Sequence, residues 1–119
     1  MYQTINGYTI ETMKEKIRKY VGENRCTTDS NGYSYQKVVE GVEQRCALGA
    51  FLPDDSLPAV FSSGAYAATL LQNHPSLLGA MPLEIKGLRK MQSVHDEHPE
   101  EGNVQETLLA WIDSNVENA

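Results

Sequence analysis

One thiol, one imidazole and several carboxylates are the side chains in this sequence whose types and spacing fit nucleophilic chemistry. Cys46 lies in the run Arg45-Cys-Ala-Leu-Gly-Ala-Phe-Leu-Pro-Asp-Asp55, and His95 and Asp96 end the run Gln92-Ser-Val-His-Asp96. A cysteine nucleophile needs a base to take its proton and a third group to orient that base. In a hydrolase or transferase built from these parts Cys46 is the nucleophile, His95 the base, and Asp54 or Asp96 the orienter. At the start of a short helix the unpaired backbone N–H groups and the dipole favour thiolate, and Arg45 pushes the same way. Gly49, one turn on, lets another group approach closely because it has no side chain.

The same residues support two other readings. Free cysteine is among the most buried residue types, and Ala47, Leu48, Phe51 and Leu52 give Cys46 apolar neighbours. His95 reads equally as a structural histidine closing the last turn of a helix. On a regular helix Asp96 projects about 100° away from it, which makes Asp54 or Asp55 the better-placed orienter. The third reading is a pocket for a nucleotide-like ligand, floored by residues 46–52 with Gly49 and rimmed by Tyr33, Tyr35 and His95. His95 and His98, with Asp96, Glu97 and Glu100 nearby, lack the spacing of a zinc or calcium site. There is no phosphate-binding glycine loop and no Gly-x-Ser-x-Gly elbow. No metal and no cofactor is expected.

The elements that must position these groups are mainly helical. Ile10, Met13, Ile17, Tyr20 and Val21 recur at helical spacing and predict a helix over 10–21, capped by Thr9 and stopped at Gly22. Its outer face carries Lys14, Lys16, Arg18 and Lys19, the one basic patch the sequence suggests. Tyr33, Tyr35, Val38 and Val39 favour strand, and Glu40-Gly41 turns it into Val42–Arg45. Pro53 restricts any helix near Cys46 to two turns at most. Residues 57–61 suggest a short helical turn and residues 65–73 a helix ended by His74-Pro75, with Leu77 and Leu78 plugging the core. Pro82 suits the first turn of a helix over 82–96 built on Leu83, Ile85, Leu88, Met91 and Val94. Asn103 and Glu106 resemble a capping box opening a final helix over 104–116, with Val104, Leu108, Trp111 and Ile112 inward. The fold class that follows is mostly α (α+β): a compact domain of four to five helices with one small β-hairpin near residues 33–46.

Bulk properties narrow the function. The chain's 119 residues suit one domain spanning 1–119. The net charge of -6 and pI of about 4.9 lack the positive surface that non-specific nucleic-acid binding requires. An acidic chain suits a protein partner with a basic surface, and Asp96, Glu97, Glu100 and Glu101 are the first candidates for that contact. Cys26 and Cys46 read as two reduced thiols. No signal peptide and no membrane-length apolar run is seen, so a cytoplasmic protein is expected.

Tyr35, then Cys46-Ala47-x-Gly49 with Leu52-Pro53-Asp54, then Gln92-x-x-His95-Asp96, resembles a family of small bacteriophage and bacterial proteins with no settled activity. The likeness covers about residues 33–96. It departs at Ser56-Leu-Pro-Ala-Val-Phe-Ser62, where that family often has a tyrosine and an acidic residue. The resemblance implies a phage or bacterial setting and no particular chemistry. Together these readings point to an accessory protein that binds and inhibits a host or defence macromolecule, with the cysteine enzyme and the ligand pocket as alternatives.

Overall fold

Helix α1, Ile10–Tyr20, shows how local sequence starts an element and tertiary contacts end it. Thr9 caps it: the Thr12 N–H donates to Thr9 Oγ1 at 3.2 Å and the Thr9 N–H to Thr12 Oγ1 at 2.8 Å. This is a reciprocal box with threonine in the place usually held by Glu or Gln. Met13 and Ile17 point inward and are fully buried. The helix ends ahead of Gly22, at a Val21 cap, and Gln105 from another helix donates to the Arg18 and Val21 carbonyls at 3.2 and 2.8 Å. Those are carbonyls that a helix end leaves without partners of its own.

This is a computed structural model, and it describes residues 1–22, 36–39, 42–52, 75–97 and 102–119. The fold is mostly helical with small β elements. Strand β1, Tyr2–Gln3, precedes α1; β2, Gln36–Val39, and β3, Val42–Arg45, form the expected antiparallel hairpin with Gln36 opposite Arg45. A 3₁₀ turn, Gly49–Phe51, follows Cys46, so the short helix there is a single tight turn. A second 3₁₀ segment, Pro75–Ala80, leads to α2, Ile85–Asp96, and then to α3, Val104–Asn115, and β4, Val116–Glu117. The expected turn over 57–61 and helix over 65–73 lie outside the described residues. Among those described, no helix is long and apolar enough to cross a membrane.

Two expectations need correction. Helix α2 starts at Ile85 behind Glu84, three residues later than Pro82 suggested. The Pro82 carbonyl is instead occupied by the Ile5 N–H at 2.9 Å, which holds that segment against the N-terminal strand. Leu77 is buried, but Leu78 is exposed; its carbonyl, not its side chain, is the part used, accepting from Asn6 Nδ2 at 2.9 Å.

One element has no local signal in the sequence: a parallel pairing of the two ends of the chain. Tyr2 lies opposite Val116 and Gln3 opposite Glu117. The tie continues through the Thr4 N–H to the Glu117 carbonyl and the Ala119 N–H to the buried Thr4 hydroxyl, each 3.0 Å. The Ile10 N–H donates to Asn118 Oδ1 at 2.8 Å. A left-handed Asn6 and Gly7, at φ 56° and 80°, turn the chain from β1 toward α1.

The core lies between these layers. Met13 and Ile17 of α1, Leu88 and Met91 of α2, and Leu108 and Ile112 of α3 are fully buried, together with Leu48 from the turn after β3. Burial of each such side chain contributes about 1.5–3 kcal/mol. Trp111 is only half-buried and packs its ring 5.9 Å from that of Tyr2.

Candidate functional site

Cys46 sits where β3 gives way to the 3₁₀ turn. Its carbonyl accepts the Ala50 N–H at 3.0 Å and its sulfur accepts the Gly49 N–H at 3.3 Å. The sulfur thus occupies the place that a serine or aspartate oxygen takes at a helix start, receiving an otherwise orphaned backbone donor. The side chain is 1 % exposed.

Arg45 is 3 % exposed. Its guanidinium stacks over Tyr20 of α1 at 3.9 Å and donates from one nitrogen to the Leu52 carbonyl at 3.2 Å and the Gly49 carbonyl at 3.4 Å. The planar guanidinium suits this double task of stacking by its face and donating by its edge. It closes the turn from below while Gly49 closes it through the sulfur.

Helix α2 holds the turn from the other side. Gln92 accepts the Leu48 N–H on Oε1 at 2.8 Å and donates from Nε2 to Asp96 Oδ1 at 2.9 Å. The two partners together fix which way the amide faces. The same Asp96 oxygen lies 2.8 Å from His95 Nδ1. As a carboxylate Asp96 only accepts, so Nδ1 carries the proton, and in the neutral ring Nε2 holds the lone pair. His95 is fully buried, while the Asp96 side chain is 22 % exposed.

Asp96 therefore does meet its neighbour, against the expectation from regular helix geometry. It is the last residue of α2, and at a helix end its carboxylate reaches both the residue before it and the amide one turn back. Among the described residues no buried side-chain nitrogen or oxygen lacks a hydrogen-bond partner.

No family model, no curated protein and no solved structure matches this chain.

Of the residues singled out in the sequence, Gln92, His95 and Asp96 form one hydrogen-bonded set, and the Cys46–Leu52 turn is fastened to that set through Leu48. Gly49 is buried in the same turn. Glu97 is exposed just past the end of α2. Tyr33, Tyr35, Asp54, Asp55, Glu100 and Glu101 lie outside the described residues, so of the expected pocket rim only His95 is described, and it is buried. Among the described residues no three His, Cys, Asp or Glu side chains are grouped as metal ligands.

Sequence reasoning named two residues without finding what they do. Gln92 joins the turn to the His–Asp pair, and its spacing of four from Asp96 was the available signal, because residues four apart on a helix are neighbours. Arg45 was read only as a charge beside a thiol. Nothing local in the sequence pairs it with Tyr20. A second basic cluster, Lys86, Arg89 and Lys90, lies exposed on α2, so the patch on α1 is not the only one.

Proposed function

We propose that this chain is a small acidic accessory protein that acts by binding another macromolecule, in its concrete form a phage-encoded inhibitor of a host or defence protein. The observation that carries the reading is the burial of the two reactive side-chain types. Cys46 and His95 are 1 % and 0 % exposed, and the Leu48–Gln92 hydrogen bond ties the turn that follows the one to the helix that carries the other. A network of that kind rigidifies and specifies a core. The chain's charge of -6 supports a partner with a basic surface, and the exposed Glu97, with Glu100 and Glu101 after it in sequence, supplies the contact. The resemblance to phage and bacterial proteins supports the setting.

A cysteine-dependent hydrolase or transferase is the second reading. Two observations favour it: the Nδ1–Asp96 bond holds the His95 ring in one tautomer, and the Gly49 N–H on Cys46 Sγ favours thiolate.

Alkylation of Cys46 in the native protein, followed on its own peptide by mass spectrometry across pH, separates the two. A binding protein gives slow alkylation that rises with an ordinary thiol midpoint near ~8.5 once the fold opens. Fast native alkylation with a midpoint well below that value overturns the binding reading. Immobilised protein in host lysate at low salt then tests for a partner. A partner that Glu97→Lys releases supports the acidic contact, and retention of nothing counts against it.

A further inference from the structure

The exposed face of α2 carries three cations, the first of them set against that helix's own field. Lys86, Arg89 and Lys90 are exposed in its first half, and no acidic residue lies in its first turn. The N-terminal end of a helix carries the positive end of the macrodipole, which disfavours cations. Glu84 is the N-cap, and its side chain makes no cap hydrogen bond.

The basic residues of α1 form a contrast. Lys14 pairs with Asp113 at 3.1 Å, Lys16 and Lys19 lie 6.0 and 5.0 Å from the Tyr20 ring, and Arg18 and Lys19 occupy the last turn, where the dipole favours them. Each has a use within its own fold. Among the described residues, none of the Lys86, Arg89 and Lys90 side chains has a hydrogen bond, an ion pair or a ring contact.

At 100° per residue the three project within an arc of about 100° and span a rise of about 6 Å. They lie on the side of α2 away from its buried Leu88, Met91, Gln92 and His95. In a chain of net charge -6 this is a small positive face without partners among the described residues.

We propose that the Lys86–Arg89–Lys90 face of α2 docks an acidic segment of a partner protein. The footprint of three cations over one helical turn matches two or three neighbouring carboxylates. A nucleic acid fits less well, because its phosphates run on past the footprint and meet the long-range repulsion of an acidic chain. This surface is opposite in sign to the Glu97 contact, so each can fail while the other stands.

The test is fluorescence anisotropy at low salt with a labelled peptide of alternating Glu and Ser. Wild-type protein binds, with affinity falling as salt rises. Charge reversal of the α2 set (K86E, R89E, K90E) weakens binding by about tenfold or more, the sum of three modest exposed pairs. The neutral set Lys86→Gln, Arg89→Gln and Lys90→Gln gives an intermediate loss, and, all three sites being exposed and Lys86 lying against the dipole, neither variant melts below wild type. Reversal of the α1 set (K16E, R18E, K19E) changes binding by less than about twofold. Equal losses from both sets would show only general charge attraction and overturn the proposal. So would absence of binding by wild type. Tighter binding of a DNA duplex through the same three residues, or a sedimentation mass of two chains that the α2 reversal abolishes, assigns the face to nucleic acid or to a second copy and overturns it as well.

Discussion

Replacing Gln92 tests whether one side chain fastens the Cys46 turn to α2. Gln92→Ala removes two hydrogen bonds at once. The Leu48 N–H, on a fully buried residue, is left without its 2.8 Å acceptor, at a cost of about 1–3 kcal/mol. Asp96 loses its 2.9 Å donor but keeps His95 Nδ1, and its carboxylate reaches water, so this loss adds only about 0.5–1 kcal/mol. Together the variant is destabilised by about 1.5–4 kcal/mol, or about 6–16 °C in Tm for a domain of this size. Gln92→Glu makes the sharper comparison. It keeps an acceptor for Leu48 but places a second carboxylate against Asp96. Two adjacent carboxylates raise the pKa of one of them, so that stability is present at low pH and is lost as pH rises through the raised value. Chemical denaturation of both variants across pH reads this directly: the deficit of Gln92→Glu shrinks on acidification and that of Gln92→Ala does not. If both variants unfold within about 0.5 kcal/mol of wild type at neutral pH, Gln92 is not the fastening described and the reasoning fails.

Three further outcomes are expected. Arg45→Lys keeps the charge but loses the planar stack on Tyr20 and the fixed direction of the nitrogen that donates to two carbonyls, and destabilises by about 1–3 kcal/mol in urea melts. Burial raises the Tyr8 phenol above its usual 10.0, so the unfolded chain ionises first and stability falls as pH rises past that value; Tyr8→Phe flattens this loss in alkaline melts relative to wild type. Gly87→Ala puts a methyl 3.1 Å from Leu83 Cβ and 3.2 Å from Tyr2 Cδ1, and since Leu83 is buried the crowding outweighs the gain in helix propensity, lowering stability by about 1 kcal/mol in thermal unfolding.

What the sequence made legible was whatever rests on near neighbours. The Thr9 and Asn103 caps, the inward stripe Met13–Ile17 and the stripe Leu88–Met91–His95 all follow from spacings of three and four. The pairing of β2 with β3 was legible from their valines and from Glu40-Gly41 as a turn signal in the sequence. The start of α2 was misplaced because Pro82 is engaged by Ile5, a contact that no local rule anticipates. The pairing of β1 with β4 involves two residues on each side, too few to show any alternation. In the candidate site the residue types were found, but their relation was not. Helix periodicity separated His95 from Asp96, and only the ending of the helix at Asp96 lets the two meet.

The parallel course of β1 and β4 has a mechanical consequence. One strand is entered from the first residue and the other is left toward the last, so a force drawing the two extremities apart runs lengthwise along the pairing. The ladder is then loaded in shear: its bonds share the strain and must break together, where a zipper would surrender them singly. With the Thr4 hydroxyl and Asn118 amide adding cross-links to the same strip, stretching by tweezers should meet its first resistance there, before any helix is drawn out.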